Sequence, residues 1–224
     1  MFVLSDIHGN LPALEAVRAD AGSLEDAFFC GDLVGYYPWP DEVVDVARKK
    51  DFIGVRGNHD EALVIGSSFG FGGEAGEAIQ WSKGEVSDRN LRYLEALPYT
   101  RSEKFQGKDV LIAHGSPRQP IEEYIYPERV NEQFLERQTF DPEVLLLGHT
   151  HVPFVKEVGD ALVINPGSVG QPRDGDPRAS YAELDLKAMD AEIHRVEYDI
   201  GRVEEKVEEE GLPVGLAKRL EKGR

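Results

Sequence analysis

The protein has 224 residues, a length within the range of one domain that buries roughly 70% of its unfolded surface. Its 25 Lys and Arg residues against 42 Asp and Glu residues give a formal net charge of −17. A field of that sign repels the phosphate backbone of nucleic acid, which excludes long nucleic acid as the expected partner. A small anionic substrate would need bound cations or well-placed arginines to reverse the local potential.

The cysteine count and the hydropathy pattern limit the cellular compartments expected for the protein. Cys30 is the single cysteine, so an internal disulfide and a cysteine-rich zinc site are excluded, which fits a reducing setting. The first motif follows Met1 too closely for a signal peptide, and there is no run of about 18 apolar residues to span a membrane. We therefore expect a cytoplasmic protein without a membrane partner.

The first half of the chain alternates apolar runs with helical spacing. Five runs are each followed by polar or Gly residues, as is typical of buried strands; they are 2–4, 27–30, 52–55, 110–113 and 144–147. Between the first three, helical patterns begin near Asn10 and Asp41, which we expect to cap two helices. This β-α-β-α-β order predicts parallel strands with right-handed crossovers.

The second half is richer in hairpins. A Gly- and Ser-rich segment, 66–73, predicts a loop near the motifs, and two short helices are expected before Pro98. Four strands are then expected at 154–158, 161–165, 180–186 and 192–198. We expect an α/β fold of two sheets packed face to face with helices outside, in a single domain of residues 1–224 whose segment 200–224 is a helical tail.

Five of the six histidines lie in short motifs with Asp, Asn or Gly, most of them directly after the apolar runs. The motifs are Asp6-Ile7-His8, Gly31-Asp32, Gly57-Asn58-His59-Asp60, Ala113-His114-Gly115 and Gly148-His149-Thr150-His151. Parallel strands would bring these side chains to one edge of a sheet. Imidazole, carboxylate and amide groups are ligands for borderline divalent ions, and Asp32 is the best candidate for a carboxylate shared by two ions.

In this order, the motifs resemble those of the calcineurin-like metallophosphoesterases, over residues 1 to about 186. The segments 5–10, 31–36, 55–60 and 165–173 are similar to those of small prokaryotic phosphodiesterases related to diadenosine tetraphosphate hydrolases. The resemblance implies a four-layer α-β-β-α sandwich of two mixed sheets. It also implies two divalent metal ions, with Mn²⁺ expected first and Fe, Ni, Co or Zn as alternatives.

The resemblance also implies a role for each motif residue. One ion would be held by Asp6, His8, Asp32 and His151, and the other by Asp32, Asn58, His114 and His149. His59 would face the scissile phosphate, where it stabilises developing charge or protonates the leaving oxygen, and Asp60 would orient His59 or cap the next helix. The implied reaction is attack by a metal-bridging hydroxide on a phosphodiester or phosphoanhydride bond of a small, nucleotide-like substrate.

Three residues are candidate substrate contacts. Arg56 and Arg173 could bind phosphate oxygens through their planar guanidinium groups, although surface ion pairs would also explain them. Tyr36 lies just past Asp32 and could stack on a nucleobase, although core packing would explain it equally well.

Two other functions stay open. A phosphoprotein phosphatase has Arg at the place that matches Arg56, and a non-catalytic scaffold could retain the metal ligands. A homo-oligomer also remains open.

Overall fold

The structure, a computed structural model, describes residues 1–138 and 140–224. Within these residues two five-stranded sheets pack face to face. The first sheet has the order β10-β9-β1-β2-β3 and the second β4-β5-β6-β8-β7. Each sheet combines parallel and antiparallel pairs, so the predicted pair of mixed sheets is confirmed.

The first sheet contains the crossover half of the chain. Its parallel strands are β1 (Phe2–Leu4), β2 (Phe28–Phe29) and β3 (Ile53–Gly54). On the other side of β1, β9 (Ala179–Asp185) and β10 (Asp190–Val196) add antiparallel pairs. The predicted parallel opening is confirmed, although β2 and β3 are shorter than the apolar runs that contain them.

The second sheet has a parallel centre and antiparallel edges. Its centre is β5 (Lys108–Ala113), β6 (Val144–Leu146) and β8 (Ala161–Asn165). Its edges are β4 (Thr100–Phe105) and β7 (Phe154–Val158). The sequence analysis missed β4, because an exposed edge strand carries polar side chains where a central strand carries a continuous apolar run.

Residues along the central strands alternate between two cores. Val3 and Phe28 of the first sheet point toward Ile112 and Leu146 of the second, and all four side chains are fully buried. Leu4 and its neighbours on the opposite face pack under the helices. Because both faces are covered, these strands are apolar without interruption.

Helices cover the outer faces of both sheets. The helices over the first sheet are α1 (Leu11–Ala21), α2 (Pro40–Lys49), α3 (Asn58–Ile65) and α5 (Asp88–Ala96), and α4 (Gly73–Glu85) packs against α2 and α3. A 3₁₀ turn (Pro127–Arg129) and α6 (Glu132–Glu136) cover the second sheet. The chain ends in α7 (Ile200–Glu209), α8 (Val214–Lys218) and a 3₁₀ turn (Leu220–Lys222). Along the described ranges, no helix is long and apolar enough to cross a membrane.

Two of the local predictions differ in outcome. Asn10 caps α1 as expected, since its Oδ1 accepts the N–H of Ala13 at 3.2 Å. The prediction that Asp41 caps α2 is wrong, because α2 begins one residue earlier, at Pro40. Asp41 instead accepts hydrogen bonds from Ser87 and Asn90, which ties α2 to α5.

The Gly-rich segment and the tail follow the sequence pattern closely. Residues 66–72 form the predicted loop, and Gly73 already belongs to α4. The segment 200–224 is helical, as expected, and packs through Val203, Val207 and Leu216 onto an aromatic cluster that includes Tyr37.

The core between the sheets generates a stability prediction. Leu146→Ala would lower the free energy of unfolding by about 3 kcal/mol, because it leaves a cavity that the two sheets cannot close. Ile65→Ala is the control, since Ile65 is 63% exposed, and it should change stability by less than about 0.5 kcal/mol. Urea unfolding measures both, and equal effects would contradict this assignment of the core.

Candidate metal centre

The seven candidate ligands follow five strands, six of them in loops and Asn58 at the start of α3. Asp6 and His8 follow β1, Asp32 follows β2, Asn58 follows β3, His114 follows β5, and His149 and His151 follow β6. Their side chains are buried, except that of Asn58, which is partly exposed. The structure therefore brings all seven to one edge, where the two sheets meet.

The backbone at this edge is strained. Five candidate ligands adopt left-handed backbone conformations, with φ of 51° at Asp6, 54° at His8, 58° at Asp32, 66° at His149 and 58° at His151. For residues with a Cβ such conformations cost about 1–3 kcal/mol each and concentrate at functional sites. The loops keep these left-handed conformations because they direct the five side chains to a common point.

Backbone carbonyls set the tautomers of three histidines. The Nδ1 atoms of His8, His114 and His151 donate to the carbonyls of Val34 at 3.1 Å, Cys30 at 2.7 Å and Gln171 at 2.5 Å. A carbonyl only accepts, so each Nδ1 carries the proton and each neutral ring leaves a lone pair on Nε2. This is how metal-binding imidazoles are oriented in proteins.

The Nε2 atoms of these three histidines lie close to one another or to the carboxylates of Asp6 and Asp32. His8 Nε2 lies 3.2 Å from His151 Nε2, and His151 Nε2 lies 3.1 Å from Asp6 Oδ1. His114 Nε2 lies 3.4 Å from Asp32 Oδ2. With no proton between them, these lone pairs repel. A cation among them would turn the repulsion into attraction.

Buried polar atoms without hydrogen-bond partners also indicate that this cluster fits a cation. In the described part of the chain, Asp6 Oδ1 and His149 Nε2 are buried and have no hydrogen-bond partner. Donor atoms within 4.8 Å of one another occur in the groups Asp6–His8–His151, Asp6–Asp32–His114 and His8–Asp32–His59. The residues present therefore fit divalent cations, and the third group places His59 beside the cluster.

Burial controls the charge state of the imidazoles. It lowers the pKa of His8 and His59 well below the ordinary value, and neighbouring imidazoles lower it further. Burial and the adjacent His114 lower the pKa of His149 to about 3. These rings are therefore neutral at physiological pH, which is the form that binds metal ions.

The two carboxylates shift in opposite directions. Burial raises the pKa of Asp32, and the nearby carboxylates of Asp60 and Asp6 add to that rise. Burial acts the same way on Asp6, but attraction to the protonated forms of His151 and the other imidazoles outweighs it and holds the pKa of Asp6 well below its usual range. The charge on Asp32 is thus unfavourable until a cation neutralises it.

Asp60 fixes the loop that carries Asp32. Its Oδ1 accepts the N–H groups of Leu33 at 2.9 Å and Val34 at 3.2 Å. Its Oδ2 accepts those of Asp32 at 2.9 Å and Gly57 at 3.0 Å. The prediction that Asp60 caps the following helix is confirmed by the bond to Gly57, but its larger role is to join the Asp32 loop to the start of α3.

A cavity of about 260 Å³ opens over this cluster. Its lining is Asp32, Tyr36, Asn58, His59, Phe69, Gly70, Phe71, Gly72, Ala75, Glu122, Tyr124, His149, His151 and Arg173. The structure therefore brings two of the three predicted substrate contacts, Tyr36 and Arg173, together with His59. Arg173 donates to the Tyr36 hydroxyl at 3.1 Å.

Arg56 is not placed as predicted. Its guanidinium pairs with Glu61 at 2.6 Å and donates to the carbonyls of Leu94 and Glu95. Among the described residues it does not line the cavity. A buried guanidinium needs acceptors, and the end of α5 supplies them locally, so Arg56 joins α3 to α5.

Two cavity residues were missed by the sequence analysis. Glu122 and Tyr124 come from the irregular segment after His114, and the Tyr124 ring stacks on His149 at 3.9 Å between centroids and 25° between planes. Irregular loops lack the periodicity that sequence analysis depends on. The sequence offered one clue, the pair of tyrosines Tyr124 and Tyr126 soon after the His114 motif.

A buried cluster of histidines and carboxylates at the edge where the two sheets meet has the donor set of a divalent-metal site. The chain belongs to the calcineurin-like phosphoesterase superfamily, whose domain model matches residues 1–189. The resemblance and the four-layer fold predicted from the sequence are confirmed.

Individual relatives agree with this family. An uncharacterized protein of Methanocaldococcus jannaschii is 39% identical over an alignment of 241 positions that covers 99% of this chain and 97% of that protein. The phosphodiesterase YfcE of Escherichia coli is 29% identical over an alignment of 196 positions that covers 81% of this chain and 84% of that protein. The crystal structure of a metallophosphoesterase from Sphaerobacter thermophilus is 40% identical, with a TM-score of 0.87 over 100% of this chain and 99% of that one.

The donor cluster predicts how one substitution affects both metal binding and stability. Asp32→Asn should lower Mn²⁺ binding at least tenfold by calorimetry. The metal-free variant should be at least as stable as the unsubstituted protein, because a buried charge is removed. The control is Asp160→Asn, since Asp160 is an exposed turn residue. Unchanged Mn²⁺ affinity in Asp32→Asn would contradict the assigned centre.

The contacts of Asp60 generate a second prediction. Asp60→Asn replaces one accepting oxygen by an NH₂ group that faces two N–H donors, so unfolding free energy should fall by about 3 kcal/mol. The matched control is Asp199→Asn, because Asp199 caps α7 through a single N–H at 3.0 Å and Asn caps equally well. Urea unfolding should therefore separate the two variants; similar small losses would argue against the role given to Asp60.

Proposed function

We propose that the protein is a two-metal-dependent phosphoesterase that hydrolyses phosphodiester or phosphoanhydride bonds of a small, nucleotide-like molecule. The observation that carries the proposal is the arrangement around Asp32. Its carboxylate lies between His8 Nε2 at 3.7 Å and His114 Nε2 at 3.4 Å. The Asp32 carboxylate therefore lies between a donor set that includes His8 and a donor set that includes His114, at the floor of the cavity.

We allocate the ligands to two ions as the family resemblance implies, and the donor group Asp6–His8–His151 and the contact of His114 Nε2 with Asn58 Oδ1 at 2.9 Å support this allocation. Asp6, His8 and His151 would hold one ion and Asn58, His114 and His149 the other, with Asp32 between them. The mixture of nitrogen and oxygen donors suits Mn²⁺, with Fe, Ni, Co or Zn as alternatives. When bound, such a pair of ions would lower the pKa of water and neutralise phosphate oxygens.

His59 would act on the leaving group. It lines the cavity, and its Nδ1 is buried and, as far as the described residues go, unpartnered. Because burial keeps this imidazole neutral, its role is better served by an N–H hydrogen bond to the developing negative charge than by transfer of a proton from an imidazolium. His59 therefore stabilises the leaving oxygen.

Arg173 would bind a phosphate oxygen. Its guanidinium is held by Gln171 Oε1 at 2.8 Å and by the Tyr36 hydroxyl, so it enters the cavity already oriented. In a protein of charge −17, this cation opposes the negative potential where an anionic substrate must approach. Orientation before binding reduces the entropy that binding must overcome.

The base-stacking role suits other rings better than Tyr36. Only 6% of Tyr36 is exposed, and its ring packs against His8 at 4.7 Å and His59 at 4.6 Å. Tyr124 is 43% exposed and Phe69 is 96% exposed, and both line the cavity. We therefore place a nucleobase against Tyr124 and Phe69, and assign Tyr36 to the support of His59 and Arg173.

The alternatives receive less support. The phosphoprotein phosphatase hypothesis used Arg56 as a phosphate ligand, but Arg56 pairs with Glu61 instead. A non-catalytic scaffold would not need a cavity lined by His59 and Arg173 above an intact donor set. A single domain of residues 1–224, a cytoplasmic location and a homo-oligomer stay predictions, and the packing of the tail on Tyr37 supports the first.

Hydrolysis of a simple diester tests the function. With Mn²⁺, the purified protein should hydrolyse bis(p-nitrophenyl) phosphate, and His59→Ala should lower kcat by roughly 10²- to 10⁴-fold because charge on the leaving oxygen is no longer stabilised. The matched control is His194→Ala, since His194 lies on β10 at the edge of the first sheet. Absence of activity with every divalent ion tried would overturn the proposal.

The same assay separates the alternatives. Diadenosine tetraphosphate, cyclic dinucleotides, nucleoside monophosphates and phosphopeptides are compared by kcat/KM. A preference for a diester or anhydride supports the proposal, whereas a preference for phosphopeptides would favour the phosphatase alternative.

A further inference from the structure

The C-terminal segment reaches back to the wall of the cavity. The backbone carbonyl of Leu216 in α8 accepts the Tyr37 hydroxyl at 3.2 Å, and that hydroxyl accepts a hydrogen bond from Gln171 Nε2 at 2.9 Å. The Oε1 of the same Gln171 accepts from Arg173. Tyr37 and Gln171 are fully buried, so one chain of hydrogen bonds runs from the tail to the guanidinium proposed to bind phosphate.

Arg219 makes a second connection, immediately after α8. Its guanidinium lies 5.8 Å from the centre of the Tyr36 ring, and that of Arg173 lies 5.9 Å from the same ring. Both distances are within the range of cation–π attraction. Tyr36 is therefore held by two cations, one from the tail and one from the cavity wall.

Arg219 also reaches the opposite side of the cavity. Its Nη2 lies 2.8 Å from Glu74 Oε2. Glu74 is in the first turn of α4, directly after the loop whose Phe69 and Phe71 line the cavity. One side chain thus joins the Tyr36 wall to the base of the Gly-rich loop.

Two glycines show how closely the tail is fitted. A Cβ at Gly215 would lie 1.9 Å from Glu74 Oε1, and a Cβ at Gly223 would lie 2.6 Å from the backbone N of Asp176. The Gly223 carbonyl also accepts the N–H of Gly175 at 3.0 Å. The tail therefore contacts the Glu74 side chain of α4 and, at Gly223, lies directly against the backbone of the loop just after Arg173.

We propose that Arg219 is a positioning residue for substrate binding. Through Arg219 the C-terminal segment fixes the positions of Tyr36 and Arg173 in the cavity wall and of Glu74, which follows the Gly-rich loop. This inference rests on the proposed function. Arg219 does not line the cavity among the residues described, and it contacts none of the candidate metal ligands. Its loss should weaken substrate binding and leave the chemical step unchanged, because Tyr36 keeps its own packing contacts with His8 and His59.

Steady-state kinetics of the full-length, Mn²⁺-loaded protein on bis(p-nitrophenyl) phosphate test the inference. Arg219→Ala should raise KM roughly three- to tenfold with kcat unchanged. Arg219→Lys keeps the charge and should restore part of the loss, and Glu74→Gln should raise KM in the same direction. Mn²⁺ content, measured separately, should be equal in all variants.

The chain offers a closely matched control. Arg202, also in the tail, pairs with Glu15 at 2.8 Å and lies 5.6 Å from the centre of the Trp39 ring. It has the same ion pair and ring contact away from the cavity, so Arg202→Ala should leave KM unchanged.

The outcomes are distinguishable. An unchanged KM in Arg219→Ala, an equal rise in Arg202→Ala, or a loss confined to kcat would each overturn the positioning role while leaving hydrolysis intact. An unsubstituted protein that hydrolyses nothing would instead overturn the proposed function, as described above.

Discussion

The Asp60 carboxylate is the interaction on which the candidate metal centre depends. Each of its two oxygens accepts two backbone N–H groups, three of the four from Asp32, Leu33 and Val34 and the fourth from Gly57. Burial raises the pKa of Asp60, yet only the ionised form has room for four donors, so the hydrogen bonds must offset desolvation. The same loop presents the Val34 carbonyl to His8. One buried anion therefore orients a carboxylate and an imidazole.

The centre itself opposes folding when no cation is bound. Three features make the metal-free state less stable. Five ligands have left-handed backbone conformations, the lone pairs of His8 and His151 face each other, and the carboxylate of Asp32 has a raised pKa. The core between the sheets, with Phe28 and Leu146 fully buried, supplies the compensating stability. Binding of divalent ions to the folded state alone would then add stability in proportion to their concentration and affinity.

Much of this arrangement could be predicted from the sequence, for a physical reason. Polar motifs after apolar runs fix where side chains leave a parallel sheet, and that suffices to bring Asp6, Asp32 and His114 together. Position along the chain does not reveal which groups meet in space. Asp41 was wrongly predicted to cap α2; it accepts from Asn90 of α5, 49 residues away. Arg56, a candidate phosphate contact, pairs with Glu61 and donates to the carbonyl of Leu94 on α5, 38 residues away. Tyr124 lay in an irregular loop and gave no periodic pattern.

The charge distribution explains why a small substrate suits this site. With 42 acidic residues against 25 basic ones, a long polyanion would meet repulsion over most of its length, which a few local contacts cannot offset. A small phosphoester meets only the mouth of the cavity, where Arg173 is directed inward and Arg219 stands behind it, partly neutralised by Glu74. Arg219 thus adds a cation behind the cavity wall, so a short anion meets positive charge at this mouth, whereas a polymer would also meet the acidic surface beyond it.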